Sequence, residues 1–168
     1  MLISFCETTR RVVNMERKYE LIPSDKEGFY RIKALKDFND VKKGDIGGYV
    51  ECESNLSHDG NCWIHDDAIV YGFAQIWGNA QIWGNAQIYQ KAQVYGEARI
   101  YQKAQVRGFA KVCSNAQIWG DAVIQGYAVV DDKTRVWDKA VIQDNAEVCG
   151  NAEVCGNAII SSEKDYIV

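Results

Sequence analysis

From residue 68 onward the apolar positions follow a strict period. Alanine stands at every sixth position, 68, 74, 80, 86, 92, 98, 104, 110, 116, 122 and 128, then at 140, 146, 152 and 158, with Thr134 the single exception. Two residues after each comes Ile or Val, from Val70 through Ile160. The word reads Ala, any residue, Ile or Val, any residue, Gly or polar, then polar or sometimes aromatic. A six-residue step scatters over three directions of an α-helix, which turns every 3.6 residues. In extended chain an even step keeps Ala and Ile/Val on one side. The pairs GN, GD, GE, SN and QK that close each word suit backbone bends which β-branched residues resist. The unit is therefore a four-residue strand and a two-residue corner. Pairs such as QK and DK make poor hairpin turns, and four residues are short for a free-standing sheet. A coil of short strands stacked on itself gives every word the same neighbours, which accounts for the repetition. Alanine then faces a crowded axis and Ile/Val fills the middle of each side.

Before residue 68 the word decays. VECESN, LSHDGN and CWIHDD keep the step, with Val50, Leu56 and Cys62 expected in the alanine column. Residues 50–162 are expected to form the coil, its first turn irregular. In residues 18–49, KYELI and FYRIKAL alternate like strands around PSDKEG, which holds the only proline, Pro23. KDFNDVKKGDIGG reads as a loop. A solenoid must cover its open end, so residues 18–49 are expected to be a small β-hairpin cap. Residues 1–17 read as an arm and 163–168 as a tail.

Composition adds limits. The 168 residues suit one domain. The net charge of −4 gives no electrostatic case for nucleic acid or an anionic membrane. No apolar run reaches the roughly 20 residues of a membrane span. Arg10 and Arg11 follow the short apolar start instead of preceding it, which is not the order of a signal peptide, so a cytoplasmic location is expected. The six cysteines follow the repeat and read as free thiols.

The word resembles the hexapeptide repeat of left-handed parallel β-helix proteins. That resemblance implies an all-β, three-sided solenoid with 18 residues per coil; the left hand comes from it alone, since the usual crossover rule is right-handed. Residues 18 apart would then stack about 4.8 Å apart. On the third side the outward residues are Trp63 and His65, Gln81 and Trp83, Arg99 and Tyr101, Gln117 and Trp119, Arg135 and Trp137, then Glu153 and Cys155. Trp83, Tyr101, Trp119 and Trp137 form one column, with Arg99 and Arg135 beside it. The column could simply stiffen the coil. The preferred reading is a binding face made of Trp63, His65, Trp83, Arg99, Tyr101, Trp119, Arg135 and Trp137, because Trp, Tyr and Arg anchor interfaces. A corner column, Phe73, Lys91, Phe109 and Tyr127, ranks below it.

Catalytic chemistry has few candidates. Two histidines, His58 and His65, cannot supply the three-histidine zinc site of carbonic anhydrases that share the fold, so no metal and no cofactor is expected. His58 is expected to be packed or capping and His65 exposed. Acyltransferases with this repeat commonly use a histidine base with CoA along neighbouring coils. Their pocket needs a loop leaving the coil or a second subunit, and the words run from 68 to 162 without insertion. His65 or His58 would be the base in that alternative. The glycines of KKGDIGGYV lack a phosphate-loop signature, and an ice-binding threonine row is absent.

KYEL, RIKALKDFNDVKKGDIGGYVE and NLSHDGNCWIHDDA, followed by the repeat, are similar to bacterial and prophage-encoded hexapeptide-repeat proteins described as polymer-forming or transferase-like without established activity. That resemblance covers residues 18–162 and implies a phage or mobile-element setting. It transfers no catalytic residue. The first functional expectation is a non-enzymatic binding protein that forms a homo-oligomer (dimer or trimer), binds a host protein, or both, with inhibition of host defence as the role the resemblance suggests. The second is an acyltransferase. The third is a passive polymer subunit joined end to end.

Overall fold

A computed structural model describes residues 16–161; the expected tail, most of the expected arm and Cys6 lie outside them. Three five-residue strands come first: β1 (Tyr19–Pro23), β2 (Tyr30–Ala34) and β3 (Ile46–Val50). β1 and β2 form an antiparallel hairpin across the turn that Ser24 ties down, its hydroxyl donating to the Phe29 carbonyl at 2.8 Å. β3 pairs antiparallel with β2 on one edge and parallel with Ile69–Val70 on the other, so the cap continues directly into the first side of the coil. From Trp63–Ile64 to Ile159–Ile160 a two-residue strand then recurs every six residues.

These strands stack into three parallel ladders. The first side runs from β3 through Ile69–Val70 to Ile159–Ile160, the second from Gln75–Ile76 to Glu147–Val148, and the third from Trp63–Ile64 to Glu153–Val154. The step is 18 residues: Gln81 lies against Arg99, Arg99 against Gln117, and Gln117 against Arg135. Gln81 N–H donates to the Ala98 carbonyl at 2.9 Å and Trp83 N–H to the Ile100 carbonyl at 2.8 Å, and this pattern repeats along the coil. The chain is thus, as the period predicts, a three-sided parallel β-solenoid of about six turns, and the three strands β1–β3 precede it.

The core is one column of small residues and one of branched residues. Every repeat alanine from Ala68 to Ala152 is buried, as are the Ile/Val residues from Val70 to Val154. Thr134, the exception to the alanine rule, is also buried, and its hydroxyl donates to the Val148 carbonyl at 3.4 Å. The hydroxyl is satisfied inside the coil, so the substitution carries no orphaned donor.

The irregular first turn departs from expectation in two respects. KKGDIGG is not simply a loop: Ile46–Val50 is a strand, and Gly47 and Gly48 let it press onto the coil. A Cβ on Gly47 would lie 2.8 Å from both Ile32 Cγ1 and the Trp63 ring, and one on Gly48 would strike the Ala68 carbonyl oxygen at 2.6 Å. These two glycines serve close approach, not turn geometry. Val50 and Leu56, expected in the alanine column, instead face Val70 and Ile76 in the branched column. Ser57 N–H donates to the Ile76 carbonyl, whereas Gly60 already lies against Gly78. His58 and Asp59 are therefore two extra residues at that corner. They lengthen the turn, and Cys62 returns to the alanine column beside Gly78 and Ala80.

Candidate functional site

The third side is the candidate site, because its outward column stays aromatic for longer than any other. Each strand there sends one residue outward before the buried Ile/Val and one after it. The second of these gives a pile of five rings. His65 stacks on Trp83 with centroids 4.9 Å apart and planes 11° apart. Trp83 meets Tyr101 at 5.5 Å, Tyr101 meets Trp119 at 6.2 Å, and Trp119 stacks on Trp137 at 5.0 Å with planes only 4° apart. The coil spacing imposes this contact: rings at identical letters of successive coils are brought within stacking range of each other. The two end contacts are parallel stacks, whereas Tyr101 is tilted by 41° to Trp83 and 47° to Trp119, and all five side chains are half-buried.

The first outward letter is polar and lies beside the rings. Tyr101 donates its hydroxyl to Gln117 Oε1 at 3.1 Å. Burial raises the Tyr101 pKa above its usual value, while the Arg99 and Arg135 guanidinium groups pull it down. Arg99 and Arg135 are exposed, and Arg135 reaches Glu153 in the next coil at 3.2 Å. Both partners of that pair are more than half exposed, so it orients the guanidinium more than it stabilises the fold.

The other sides begin the same way and then change. On the first, Phe29 of the cap meets Tyr71 edge-on, and Tyr71 stacks on Tyr89. Below them the column turns polar: Arg107 donates to the Tyr89 hydroxyl at 3.0 Å and to Gln125 Oε1 at 2.6 Å, and Gln125 donates to Gln143 at 2.9 Å. On the second, Trp77 stacks on Tyr95 at 4.5 Å, and the next residue in the column is the buried thiol of Cys113.

Of the residues expected on the binding face, His65, Trp83, Arg99, Tyr101, Trp119, Arg135 and Trp137 do line one side. Trp63 does not join them. It is 2% exposed, clamped edge-on between Tyr19 (6.3 Å) and Phe38 (5.4 Å) of the cap, so it is a core residue. The sequence gives no sign of this, because the cap is formed by residues distant in the chain. The corner column ranked second is more exposed than the ladder: Phe73 is 78% and Tyr127 61% exposed, Phe109 stacks on Tyr127 at 4.8 Å, and the Lys91 ammonium lies 5.0 Å from the Phe109 ring. The aromatic residues at the last letter of the word were the available signal.

The histidines sit in different settings. His58, on the two-residue insertion, stacks on Tyr19 at 4.2 Å. Its Nδ1 accepts from the Lys18 N–H at 3.2 Å, and its Nε2–H donates to Glu53 Oε1 at 2.9 Å. Both ring nitrogens are engaged, which suits a packing residue and leaves no lone pair for a base. His65, expected to be exposed, is half-buried at the top of the ladder because it stacks on Trp83. Gln81 gives both amide donations to the Asn61 and Asn79 carbonyls, so its Oε1 accepts from His65 Nε2–H at 2.8 Å. In the neutral ring Nδ1 then holds the lone pair. A small cleft of about 220 Å³ beside it is lined by Asp40, Asp45 and Asp66, a setting unfavourable to a polyanionic cofactor. Among the described residues no group of three or more His, Cys, Asp or Glu side chains is placed to hold a metal, and no helix is long and apolar enough to cross a membrane.

Two comparisons bear on this geometry. Residues 92–108 match the model of the YdcK beta solenoid repeat. Over 45 residues the chain is 49% identical to a protein of Escherichia coli (strain K12) named as the uncharacterized acetyltransferase YdcK. That match takes in 26% of this chain and 14% of that protein's length. Both likenesses agree with the solenoid described above.

Proposed function

We propose that the chain is a non-enzymatic binding or scaffold protein that holds a protein partner against the third side of its solenoid. The partner is a second copy of the chain or a bacterial host protein. The observation that carries this reading is the unbroken column from His65 to Trp137, flanked by the exposed Arg99 and Arg135. Trp, Tyr and Arg are the residues that anchor interfaces, and a ladder fixed by its own stacking loses little side-chain freedom on binding. The regular coil from residue 62 to 161 sends out no loop that could roof a substrate pocket. The finer reading, a phage-type protein that blocks a host defence, follows from the sequence resemblance and names the class of partner to look for.

The test is a double substitution, Trp83→Glu with Trp119→Glu. The circular dichroism of the coil is expected to persist while self-association in sedimentation velocity, or capture of a host protein, falls at least tenfold. Unchanged association with an intact coil would make the column a stiffener only.

A second reading rests on one observation, the 49% identity with a protein named as an acetyltransferase. It assigns acyl transfer from an acyl-CoA, with His65 Nδ1 as base. It predicts that acetyl-CoA raises the melting temperature by mass action and that His65→Ala abolishes turnover. No thermal shift with any acyl-CoA would retire it.

A further inference from the structure

Lys18 precedes β1, yet its side chain does not reach water: the residue is 1% exposed. Nζ donates to the Cys62 carbonyl at 2.8 Å and the Gly60 carbonyl at 3.3 Å, and it lies 3.2 Å from Cys62 Sγ. Cys62 is itself fully buried, in the alanine column of the first turn. Its thiol has only long contacts elsewhere, 3.5 Å to the Ser57 carbonyl and 3.8 Å to those of Asp59 and Ile76. The pair is thus an amine and a thiol in direct contact, held by residues 44 apart in sequence. Burial disfavours both charged forms: it lowers the Lys18 pKa and raises that of Cys62. Proton loss therefore gives Lys18 a nucleophilic lone pair more readily than a solvated lysine.

A cleft of about 600 Å³ between cap and coil reaches Lys18 and is lined also by Lys36, Phe38, His58, Asp59 and Asn61, and Cys62 lies directly behind Lys18. Peroxide entering it meets Lys18 first and reaches the buried thiol when the cap loosens from the first turn. Two other described cysteines differ. Cys113 is buried against the Val130 carbonyl at 3.8 Å, and Cys155 is exposed; neither has an amine among its contacts.

We propose that Lys18 and Cys62 form a site of reversible oxidative cross-linking, in which peroxide joins Nζ to Sγ and fastens the cap to the first turn. The Lys18 amine takes the thiol proton, Sγ attacks one oxygen of hydrogen peroxide and the O–O bond breaks, and the departing hydroxide takes that proton from Nζ and leaves as water, so that Cys62 becomes a sulfenic acid and the amine is again neutral. The Nζ lone pair then attacks sulfur, the S–O bond breaks, and the departing hydroxide takes a proton from nitrogen as a second water. Sulfur is oxidised by two electrons and peroxide is reduced. A thiol such as dithiothreitol reverses the bond by attacking sulfur and returning the amine. The 3.2 Å separation is already a near-attack distance.

The test is peptide mass mapping of the full chain after hydrogen peroxide treatment, with and without dithiothreitol. The expected result is a linked pair of peptides carrying Lys18 and Cys62, two hydrogens lighter than their sum, which dithiothreitol separates. The melting temperature is expected to rise by about 5–10 °C on linking, because the bond closes a long loop. Cys62→Ala restores the residue that the column uses elsewhere, so it should fold, and it should show neither the link nor the peroxide-dependent shift. The proposal is overturned if peroxide oxidises Cys155 fully while Lys18 and Cys62 stay unlinked, or if Cys62 proceeds to sulfinic acid beside a free Lys18.

Discussion

The side-chain carbonyl of Gln102 accepts a hydrogen bond of 2.8 Å from the N–H of Gly120, one coil further on in the same corner column. Gln102 stands at φ +59°, a left-handed conformation that costs a non-glycine residue about 1 kcal/mol. The bond offsets part of that cost by occupying an N–H left over at the corner. Asp66 with Gly84, Gln90 with Gly108, Asp132 with Gly150 and Asp138 with Gly156 repeat it. The glycine has a separate reason: a Cβ on Gly120, at φ +73°, would stand 2.8 Å from the Asp138 nitrogen and 2.9 Å from its oxygen. Gly120→Ala is therefore expected to cost about 2–3 kcal/mol, whereas Gln102→Gly should stay within about 1 kcal/mol of wild type. Urea midpoints compare the two. Equal effects would show that the corner does not discriminate as described.

The axis of the coil should tolerate neither loss of volume in its branched column nor gain of volume in its alanine column. Ile100 and Ala98 are both fully buried. Ile100→Ala opens a cavity and is expected to cost about 2–5 kcal/mol. Ala98→Leu overfills the axis and should cost about 1–3 kcal/mol or more. Thr134→Ala restores the column residue and should change stability by less than about 1 kcal/mol. Thermal unfolding of the three variants gives the order.

Stability and binding separate at Trp119. Its ring lies between Tyr101 at 6.2 Å and Trp137 at 5.0 Å. Trp119→Ala breaks both contacts in a half-buried position and is expected to cost about 2 kcal/mol. Trp119→Phe keeps a stacked ring, so most of that stability should return. If Trp119→Phe is as unstable as Trp119→Ala, stacking contributes little to the coil.

Alkaline pH should loosen the second side. Burial raises the Cys113 thiol to about 11, and Tyr95 is raised to about 12, first by its hydrogen bond to Cys113 and then by burial. With a raised folded-state value, the stabilising contribution is complete below the unfolded pKa and is lost as pH climbs through the folded one. The melting temperature should therefore decline from about pH 9 to about pH 11. Cys113→Ala should flatten part of the decline. A variant that follows the wild-type curve would remove Cys113 from the account.

The coil and its aromatic column were legible because a solenoid converts sequence period into spatial contact. Once the step is six and the turn three-sided, Trp83 must meet Tyr101 and Thr134 must take an alanine's place. The first turn was harder for the same reason. His58 and Asp59 interrupt the count, so Val50 and Leu56 shift to the branched column, and nothing local marks the slip. Trp63 was misplaced because its burial comes from Tyr19 and Phe38, which the repeat does not position. The Lys18–Cys62 contact lies between cap and coil and carries no periodic signal.

Fold and site both follow from one relation, that each residue of the coil rests against the residue 18 positions on. Engineered disulfides test it directly. Gln87 and Gln105 are paired on neighbouring strands of the first side, about 4.8 Å apart, within the range that a disulfide spans. Gln87→Cys with Gln105→Cys is expected to link rapidly under mild oxidation, as mapped by peptide mass. Gln87→Cys with Gln93→Cys, closer in sequence but on different sides, should stay unlinked. The reverse outcome, linkage at a separation of six and none at eighteen, would contradict the account.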